Sequence, residues 1–185
     1  MVLLVALARL VLLILWVVAA YNGLVGLRNR RENAWSDVDV QLKRRYELIP
    51  NLVETVKGYA GHELKTLAQV TELRARAMGT REPAEKAAAE GALTEGLKSL
   101  FAVAESYPEL RANQNFLALQ EELAGIEEAI QNARRYFNAV VRDLNTKCES
   151  FPSKLIASAF GFERGSYFEL DSAGERAAPH VQFQV

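Results

Sequence analysis

The sequence predicts an all-α fold, in which an N-terminal transmembrane helix runs into an antiparallel up-down bundle of about four long helices. A short aromatic-rich C-terminal arm follows the bundle. Three observations support this prediction. The first twenty residues carry one charge, Arg9, and are otherwise almost wholly apolar. From residue 112 to residue 144, apolar residues recur at alternating spacings of four and three, the period of one helix face. No strand-like alternation of any length competes with this pattern.

The N-terminal segment is long enough to cross a membrane. Twenty helical residues extend about 30 Å, the thickness of the hydrocarbon core of a bilayer. A cleavable signal peptide is the alternative, with Arg9 as its basic region, residues 10–18 as its apolar region and residues 18–20 as its cleavage site. Both interpretations direct this end of the chain to a membrane.

Basic residues after the apolar segment predict how it is oriented. They are Arg28, Arg30 and Arg31. Positive charge at this place resists translocation and stays on the cytoplasmic side, so we favour an uncleaved, single-pass anchor in residues 1–27, spanning within about residues 2–27. The short N-terminus is then outside the cell membrane and the C-terminal domain is cytoplasmic. The same three arginines are candidate contacts for anionic lipid headgroups, or else a solvated flank.

Prolines mark the expected helix starts in the rest of the chain, because proline suits a first helical turn and breaks a helix interior. They are Pro50, Pro83, Pro108 and Pro152. Apolar spacing predicts helices over about residues 27–49, 52–79, 89–104 and 112–144, with short loops at 79–83 and 105–108. The last helix carries an unbroken, coiled-coil-like seam. We assign residues 28–150 to this bundle.

Residues 151–185 form the predicted arm and flexible tail. The arm contains four of the eight phenylalanines, Phe151, Phe160, Phe162 and Phe168, and a short helix is expected over residues 154–160. Two interpretations stay open: an arm packed over one end of the bundle, or a patch that meets a membrane interface or a partner. Residues 173–185 are expected to be weakly ordered.

Several short stretches carry a family resemblance. They include Tyr-Asn-Gly-Leu-Val at 21–25, Glu-Asn-Ala-Trp at 32–35, the thirteen residues at 48–60, Tyr-Pro-Glu-Leu at 107–110 and Ala-Arg-Arg-Tyr-Phe-Asn at 133–138. Together they resemble the LemA family of membrane-anchored bacterial proteins, over nearly the whole chain. The resemblance implies one N-terminal membrane helix followed by a bundle of long helices, and it brings no established catalytic activity. Arg31 stands where the family pattern suggests an apolar residue.

The sequence offers little for catalysis or for metal binding. It has one cysteine, Cys148, and two histidines, His62 and His180, and neither histidine follows a glutamate at the spacing of a di-iron site. His62 falls on the second predicted helix. No nucleophile-elbow or phosphate-loop motif occurs. The net charge of −1 gives no basic field for nucleic acid. We therefore predict no enzyme activity, no cofactor and no nucleic-acid partner.

Two groups of residues are candidate partner-binding sites. One is the polar face of the fourth predicted helix, with Arg134, Arg135 and Asn138, and the other is the pair Phe160 and Phe162 in the arm. Solvated surface is the alternative for the polar residues, as is pairing with the acidic residues Asp37, Asp39 and Glu54. We predict a membrane-anchored scaffold or adaptor that binds the lipid bilayer and protein partners, and a homo-oligomer stays open. The alternative is a lipid-binding or membrane-shaping protein that acts through the basic residues and the arm.

Overall fold

A computed structural model of the chain describes residues 1–169; residues 170–185, which include the expected weakly ordered tail, lie outside the described residues. The described chain is all-helical and bundle-like, with a long apolar N-terminal helix that packs against other helices, so the predicted fold class is confirmed. The helices are α1 (Val2–Tyr59), α2 (Leu64–Gly79), α3 (Pro83–Glu105), α4 (Pro108–Arg111), α5 (Gln114–Glu149) and α6 (Ser153–Ala159).

The chain divides into two compact units. The first unit consists of residues 1–43 and 126–167, and the second consists of residues 44–125 together with residues 168 and 169. Helices α1 and α5 contribute residues to both units, α6 belongs to the first, and α2, α3 and α4 belong to the second.

The core of the first unit joins α1, α5 and α6. Its buried members are Ala20, Leu24, Leu144, Cys148, Ile156 and Ala157, and the half-buried side chains of Trp16, Val17, Leu27 and Phe162 pack against them. Farther along α1, Trp35 contacts Phe137 of α5 with the ring centroids 5.1 Å apart. The N-terminal stretch of α1 is long and apolar enough to cross a membrane, and none of that stretch is buried.

The core of the second unit follows the predicted apolar faces of α3 and the start of α5. The seam residues of α3 are all buried: Ala89, Leu93, Leu97, Leu100 and Ala104. Helices α2 and α3 approach closely at Gly96, where a Cβ would stand 2.8 Å from Leu73 Cδ1. Phe101 of α3 meets Phe116 of α5 with the ring centroids 6.1 Å apart. A side chain at Gly96 would therefore require the Leu73 side chain to move.

The prediction that Pro50 begins a helix is wrong, because Pro50 lies inside α1. Proline has no N–H, so the carbonyl of Tyr46, four residues earlier, loses its helical donor. Arg74 of α2 replaces that donor, since its Nε donates to the Tyr46 carbonyl oxygen across 2.7 Å. The Arg74 side chain therefore replaces the hydrogen bond that proline removes, and α1 continues through Pro50.

The second predicted helix is divided by a turn at residues 60–63. Helix α1 ends at Tyr59 and α2 begins at Leu64, so His62 lies exposed in the turn rather than on a helix. Leu64, the first residue of α2, is exposed as well. The fourth predicted helix also begins two residues later than expected, because Asn113 Oδ1 accepts a 3.0 Å hydrogen bond from the backbone N–H of Phe116 and caps α5.

Candidate functional site

The structure brings one candidate lipid contact and both arm candidates together in the first unit. Phe160 and Phe162 meet Tyr21 of α1 edge-on, with ring centroids 4.9 and 5.6 Å from the tyrosine ring. The guanidinium carbon of Arg28 lies 5.6 Å from the centroid of the Phe162 ring, within the range of a cation–π contact. We call Tyr21, Arg28, Phe160 and Phe162 the aromatic cluster.

The end of α6 directs the arm towards this cluster. Gly161 has a φ of +69°, a left-handed conformation that glycine adopts without steric cost. The N–H of Phe162 then donates to the carbonyl of Ala157 across 2.9 Å, the reversal typical of a Schellman helix end. Ile156 and Ala157 are buried in the core of the first unit. The end of α6 and the buried face of that helix therefore position Phe160 and Phe162 against α1.

A buried asparagine holds the extended part of the arm. Asn145 of α5 donates from Nδ2 to the Gly165 carbonyl across 3.0 Å, and its Oδ1 accepts from the Gly165 N–H across 2.8 Å. A Cβ at Gly165 would stand 3.2 Å from Arg31 Cδ and 3.4 Å from Val141 Cγ1, so only glycine fits without displacement. Arg31, a candidate lipid contact, is thus half-buried beside the arm, whereas Arg28 and Arg30 are exposed.

The polar candidates of α5 occupy a different part of the first unit. Arg135 is exposed and donates to Asn132 Oδ1, while Arg134 and Asn138 are half-buried. Sequence reasoning missed Tyr136, a residue that lies between these and is 51% exposed. The sequence does contain a signal for this exposure. Tyr136 directly precedes the seam residue Phe137, and one residue along a helix rotates the side chain by about 100°, away from the buried face. Along α5, Asn138 is about 10 Å from Asn145, the residue that holds the arm.

A groove of about 590 Å³ lies beside α1 in the first unit. Its apolar wall consists of Trp16, Ala19, Ala20 and Leu27, and its opposite side consists of Asp143, Thr146, Lys147, Ser150, Pro152 and Ser153. The Ser153 hydroxyl donates to the Lys147 carbonyl across 2.7 Å, which ties the start of α6 to the end of α5. The groove therefore has one apolar and one polar side.

The second unit contains a buried charged cluster that sequence reasoning also missed. Arg45 of α1 and Glu90 of α3 are each 2% exposed, and Arg45 Nη1 lies 3.2 Å from Glu90 Oε2. The Tyr46 hydroxyl donates to Glu90 Oε1, and Arg45 Nη2 donates to Thr94 Oγ1 across 2.8 Å. Lys86 is buried too, with its ammonium 5.5 Å from the centroid of the Tyr46 ring.

A spacing in the sequence marks this charged cluster. Lys86, Glu90 and Thr94 recur every four residues, which puts them on one face of α3 within an alanine-rich stretch. The position of Arg45 on α1 does not by itself show that Glu90 faces it. The cluster joins α1 to α3 through charge and hydrogen bonding.

The thiol and the acidic side chains provide no evident reaction centre. Burial, and secondarily the charge of Glu149, raises the pKa of the Cys148 thiol, which keeps the group in its unreactive protonated form. Within residues 1–169, no three His, Cys, Asp or Glu side chains are grouped in a way that could hold a metal ion.

Comparison with known proteins identifies the family. The sequence profile of the LemA family matches residues 34–183. The magnetosome protein MamQ 2 of Paramagnetospirillum magneticum is 23% identical over 181 residues, which cover 84% of this chain and 66% of the relative. The magnetosome protein MamQ of Magnetospirillum gryphiswaldense matches to the same extent. The protein LemA of Metamycoplasma hominis is 24% identical over 152 residues, which cover 80% of this chain and 68% of that protein.

The chain spans 66% of the length of the MamQ relatives that it matches. The family profile covers most of the chain, including α2 to α6 and the part of α1 from residue 34 onward. The predicted family is therefore confirmed. This protein belongs to the LemA family, and it is a membrane-associated helical protein.

Proposed function

We propose that this protein is a non-enzymatic scaffold or adaptor that a single N-terminal helix anchors in the cytoplasmic membrane. The N-terminus is outside and the helical domain is in the cytoplasm. The observation that carries the proposal is the continuity of α1, which runs without interruption from the exposed apolar stretch at Val2 to Tyr59. A partner bound to the domain is consequently held at the membrane.

The core of the first unit supports an anchor that is retained rather than cleaved. Trp16, Val17 and Ala20 pack in that core together with Cys148 and Ile156. Cleavage after Ala20 would remove these α1 residues and expose the apolar groups that they cover. At roughly 25 cal/mol per Å² of apolar surface, such exposure destabilises the domain.

The exposed face of α5 supports the binding role. Arg135 and Tyr136 are exposed next to each other, and Asn132 lies one turn before them. Arginine and tyrosine are enriched among the residues that dominate the free energy of protein–protein binding. The MamQ relatives are named as magnetosome proteins.

The topology can be tested with single cysteines in a Cys148→Ala background. We expect a membrane-impermeant maleimide to label Val2→Cys in intact cells and to label Gln131→Cys, exposed on α5, only after lysis. Labelling of Gln131→Cys in intact cells would overturn the cytoplasmic assignment. Release of the chain from membranes by alkaline carbonate would contradict the anchor itself.

The partner surface can be tested by photocrosslinking. A benzophenone amino acid in place of Tyr136 should give defined adducts that Arg135→Ala weakens several-fold. The matched control is Arg76→Ala, which removes an arginine exposed on α2. Met78, also exposed, is the control crosslinking position. Equal effects of the two arginine substitutions, or the same adducts from both positions, would remove the basis for a binding surface on α5.

A second candidate function is the binding of anionic lipid headgroups. The contact between the Arg28 guanidinium and Phe162 favours it, because it places a cation in an aromatic cluster beside the predicted anchor. Arg28→Ala combined with Arg30→Ala should reduce the anionic lipid that co-purifies with the detergent-solubilised chain, measured by mass spectrometry. An unchanged lipid content would exclude these two arginines as headgroup contacts.

A further inference from the structure

We propose that α6 and the start of the arm form a second membrane contact, in which Phe151, Leu155 and Phe160 enter the hydrocarbon of the leaflet beside α1. This surface would take phospholipid acyl chains. The proposal deepens the proposed function and rests on the anchoring of α1 in a bilayer. It concerns residues of the first unit only.

The first argument is the length of α1 that is free to meet lipid. Residues 1–15 are all exposed, whereas Trp16 and Val17 are half-buried and Ala20 is buried. Fifteen helical residues extend about 22 Å, and a hydrocarbon core is about 30 Å thick. A span of about 30 Å that ends at Tyr21, a residue type enriched at membrane interfaces, therefore includes Trp16 and Val17 as well as the exposed residues before them.

The second argument is what lies beside α1 at that depth. Trp16, Val17 and Ala20 pack together with Ile156 and Ala157 of α6. If the hydrocarbon reaches Tyr21, α6 lies within its outermost 8 Å or so. Amphipathic helices that bind membrane surfaces bury their apolar faces to about this depth, 5–10 Å.

The third argument is the outer surface of α6 and its flanks. Phe151 is 83% exposed, Leu155 60% and Phe160 57%. The last turns of α5 before them expose Asp143, Thr146, Glu149 and Ser150 instead. Exposed surface therefore changes from mostly polar at the end of α5 to largely apolar at these three positions. In water these three side chains would leave a large apolar area solvated, and lipid removes that cost.

Charged groups mark where the hydrocarbon ends. The Lys147 ammonium lies 3.3 Å from the point where a Cβ at Gly23 would stand. A charge at this level belongs in the headgroup region, just beyond Tyr21, a residue type enriched at membrane interfaces. Lys154 is exposed on α6, and its stem is long enough for the ammonium to reach the headgroups while the neighbouring Leu155 is in the acyl chains.

Depth-dependent fluorescence quenching tests the proposal on the full chain. Single cysteines replace Leu155, Phe151, Leu12 or Tyr136 in a Cys148→Ala background and carry a bimane label. The chain is reconstituted into phosphatidylcholine–phosphatidylglycerol vesicles that contain a lipid with a nitroxide on its acyl chain. Leu12, in the exposed part of α1, is the anchor control, and Tyr136, exposed on α5, is the matched control outside the membrane. Circular dichroism confirms that each labelled variant keeps its helical content.

We expect nitroxide lipid to quench Leu155→Cys and Phe151→Cys comparably to Leu12→Cys and several-fold more than Tyr136→Cys. Quenching at Leu12 without quenching at Leu155 overturns the second contact and leaves the anchor intact. Absence of quenching at Leu12 contradicts the anchor and the proposed function with it. Disulfide crosslinking between Leu155→Cys copies without lipid quenching would show that a second copy covers this face, which also overturns the proposal.

Discussion

The first unit exposes Phe151, Leu155 and Phe160, whereas the second unit buries Arg45, Lys86 and Glu90. In the first unit, aromatic rings and aliphatic side chains join α1, α5 and α6. In the second unit, an ion pair and its hydrogen bonds join α1 to α3 within an apolar core. The second unit thus buries charged side chains, and the first unit exposes large apolar ones.

The comparison indicates that the two units differ in what completes their packing. Polar contacts within the protein do so in the second unit, whereas the first unit leaves apolar side chains for its surroundings to cover. A buried ion pair gains little net stability over an apolar pair of similar volume, because desolvating the charges offsets their attraction. The buried pair does raise the free energy of any arrangement in which Arg45 and Glu90 separate, because each charge then loses its partner. We therefore interpret Arg45–Glu90 as a contact that fixes the register of α1 against α3, and the exposed side chains of α6 as a surface that lipid completes.

The largest expected effect is the loss of the carboxylate in the second unit. Glu90→Ala leaves the buried guanidinium of Arg45 without its opposite charge and removes the acceptor of the Tyr46 hydroxyl. We expect a loss of about 3–5 kcal/mol in the free energy of unfolding, measured by urea denaturation of the chain in detergent micelles.

The matched control for Glu90 is Glu95→Ala on the same helix. Glu95 forms an exposed ion pair with Lys98 at 2.8 Å. Exposed pairs contribute about 0–1 kcal/mol, so this substitution should change stability little. Similar losses for Glu90→Ala and Glu95→Ala would contradict the structural role of the buried cluster.

A smaller effect is expected where the arm joins the first unit. Asn145→Ala removes both hydrogen bonds to Gly165, at about 0.5–1.5 kcal/mol each. The arm should then detach more often, so trypsin should cleave after Arg164 several-fold faster than in the unmodified chain. Asn132→Ala, an exposed position on the same helix, should leave the cleavage rate unchanged. If both substitutions accelerate cleavage equally, Asn145 does not hold the arm.

The bond that compensates for Pro50 can be isolated with a double-mutant cycle. Arg74→Ala removes the donor to the Tyr46 carbonyl and should cost about 1–3 kcal/mol, because a partly buried acceptor is left unsatisfied. Pro50→Ala restores a backbone N–H four residues after Tyr46. In the Pro50→Ala background, Arg74→Ala should therefore cost less. Equal costs in the two backgrounds would show that Arg74 stabilises the unit by another route.

The smallest expected effect concerns the pH dependence of the first unit. Burial raises the pKa of the Cys148 thiol, so the thiol ionises at lower pH in the unfolded chain than in the folded chain. The stability that results is complete below the ordinary thiol pKa and is lost as pH rises from there through the raised pKa of the folded chain. Between about pH 8 and 10, the unfolding free energy should fall more steeply for the unmodified chain than for Cys148→Ala. Parallel curves for the two proteins would contradict a shifted thiol.

The agreement between sequence and structure differs along the chain. The seams of α3 and α5 were predictable because residues three and four apart share a helix face whatever packs against it. The interruption at residues 60–63 and the continuity through Pro50 were not predictable. Proline disfavours a helix interior locally, and the compensating donor, Arg74, comes from another helix.

The candidate sites likewise divide into features that the sequence predicts and features that depend on contacts between helices. The predicted aromatic arm contains Phe160 and Phe162, and the structure places both against Tyr21. Arg31 was grouped with Arg28 and Arg30 by proximity in the sequence, yet it is half-buried beside Gly165. Tyr136 was overlooked because one helical step separates an exposed ring from the buried Phe137. Candidate residue types could be recognised, but their exposure depends on what covers them.

By itself, the sequence determined the helical class, the apolar anchor and the family, because periodicity, hydropathy and motifs are properties of neighbouring residues. Only the tertiary structure decided that Arg45 meets Glu90, 45 residues away, that Arg74 compensates for Pro50, and that α6 packs beside Trp16 and Ala20. Those contacts depend on the register and rotation of helices that are distant in the chain. Local spacing establishes which face of each helix is apolar, and packing between helices selects the residues that meet.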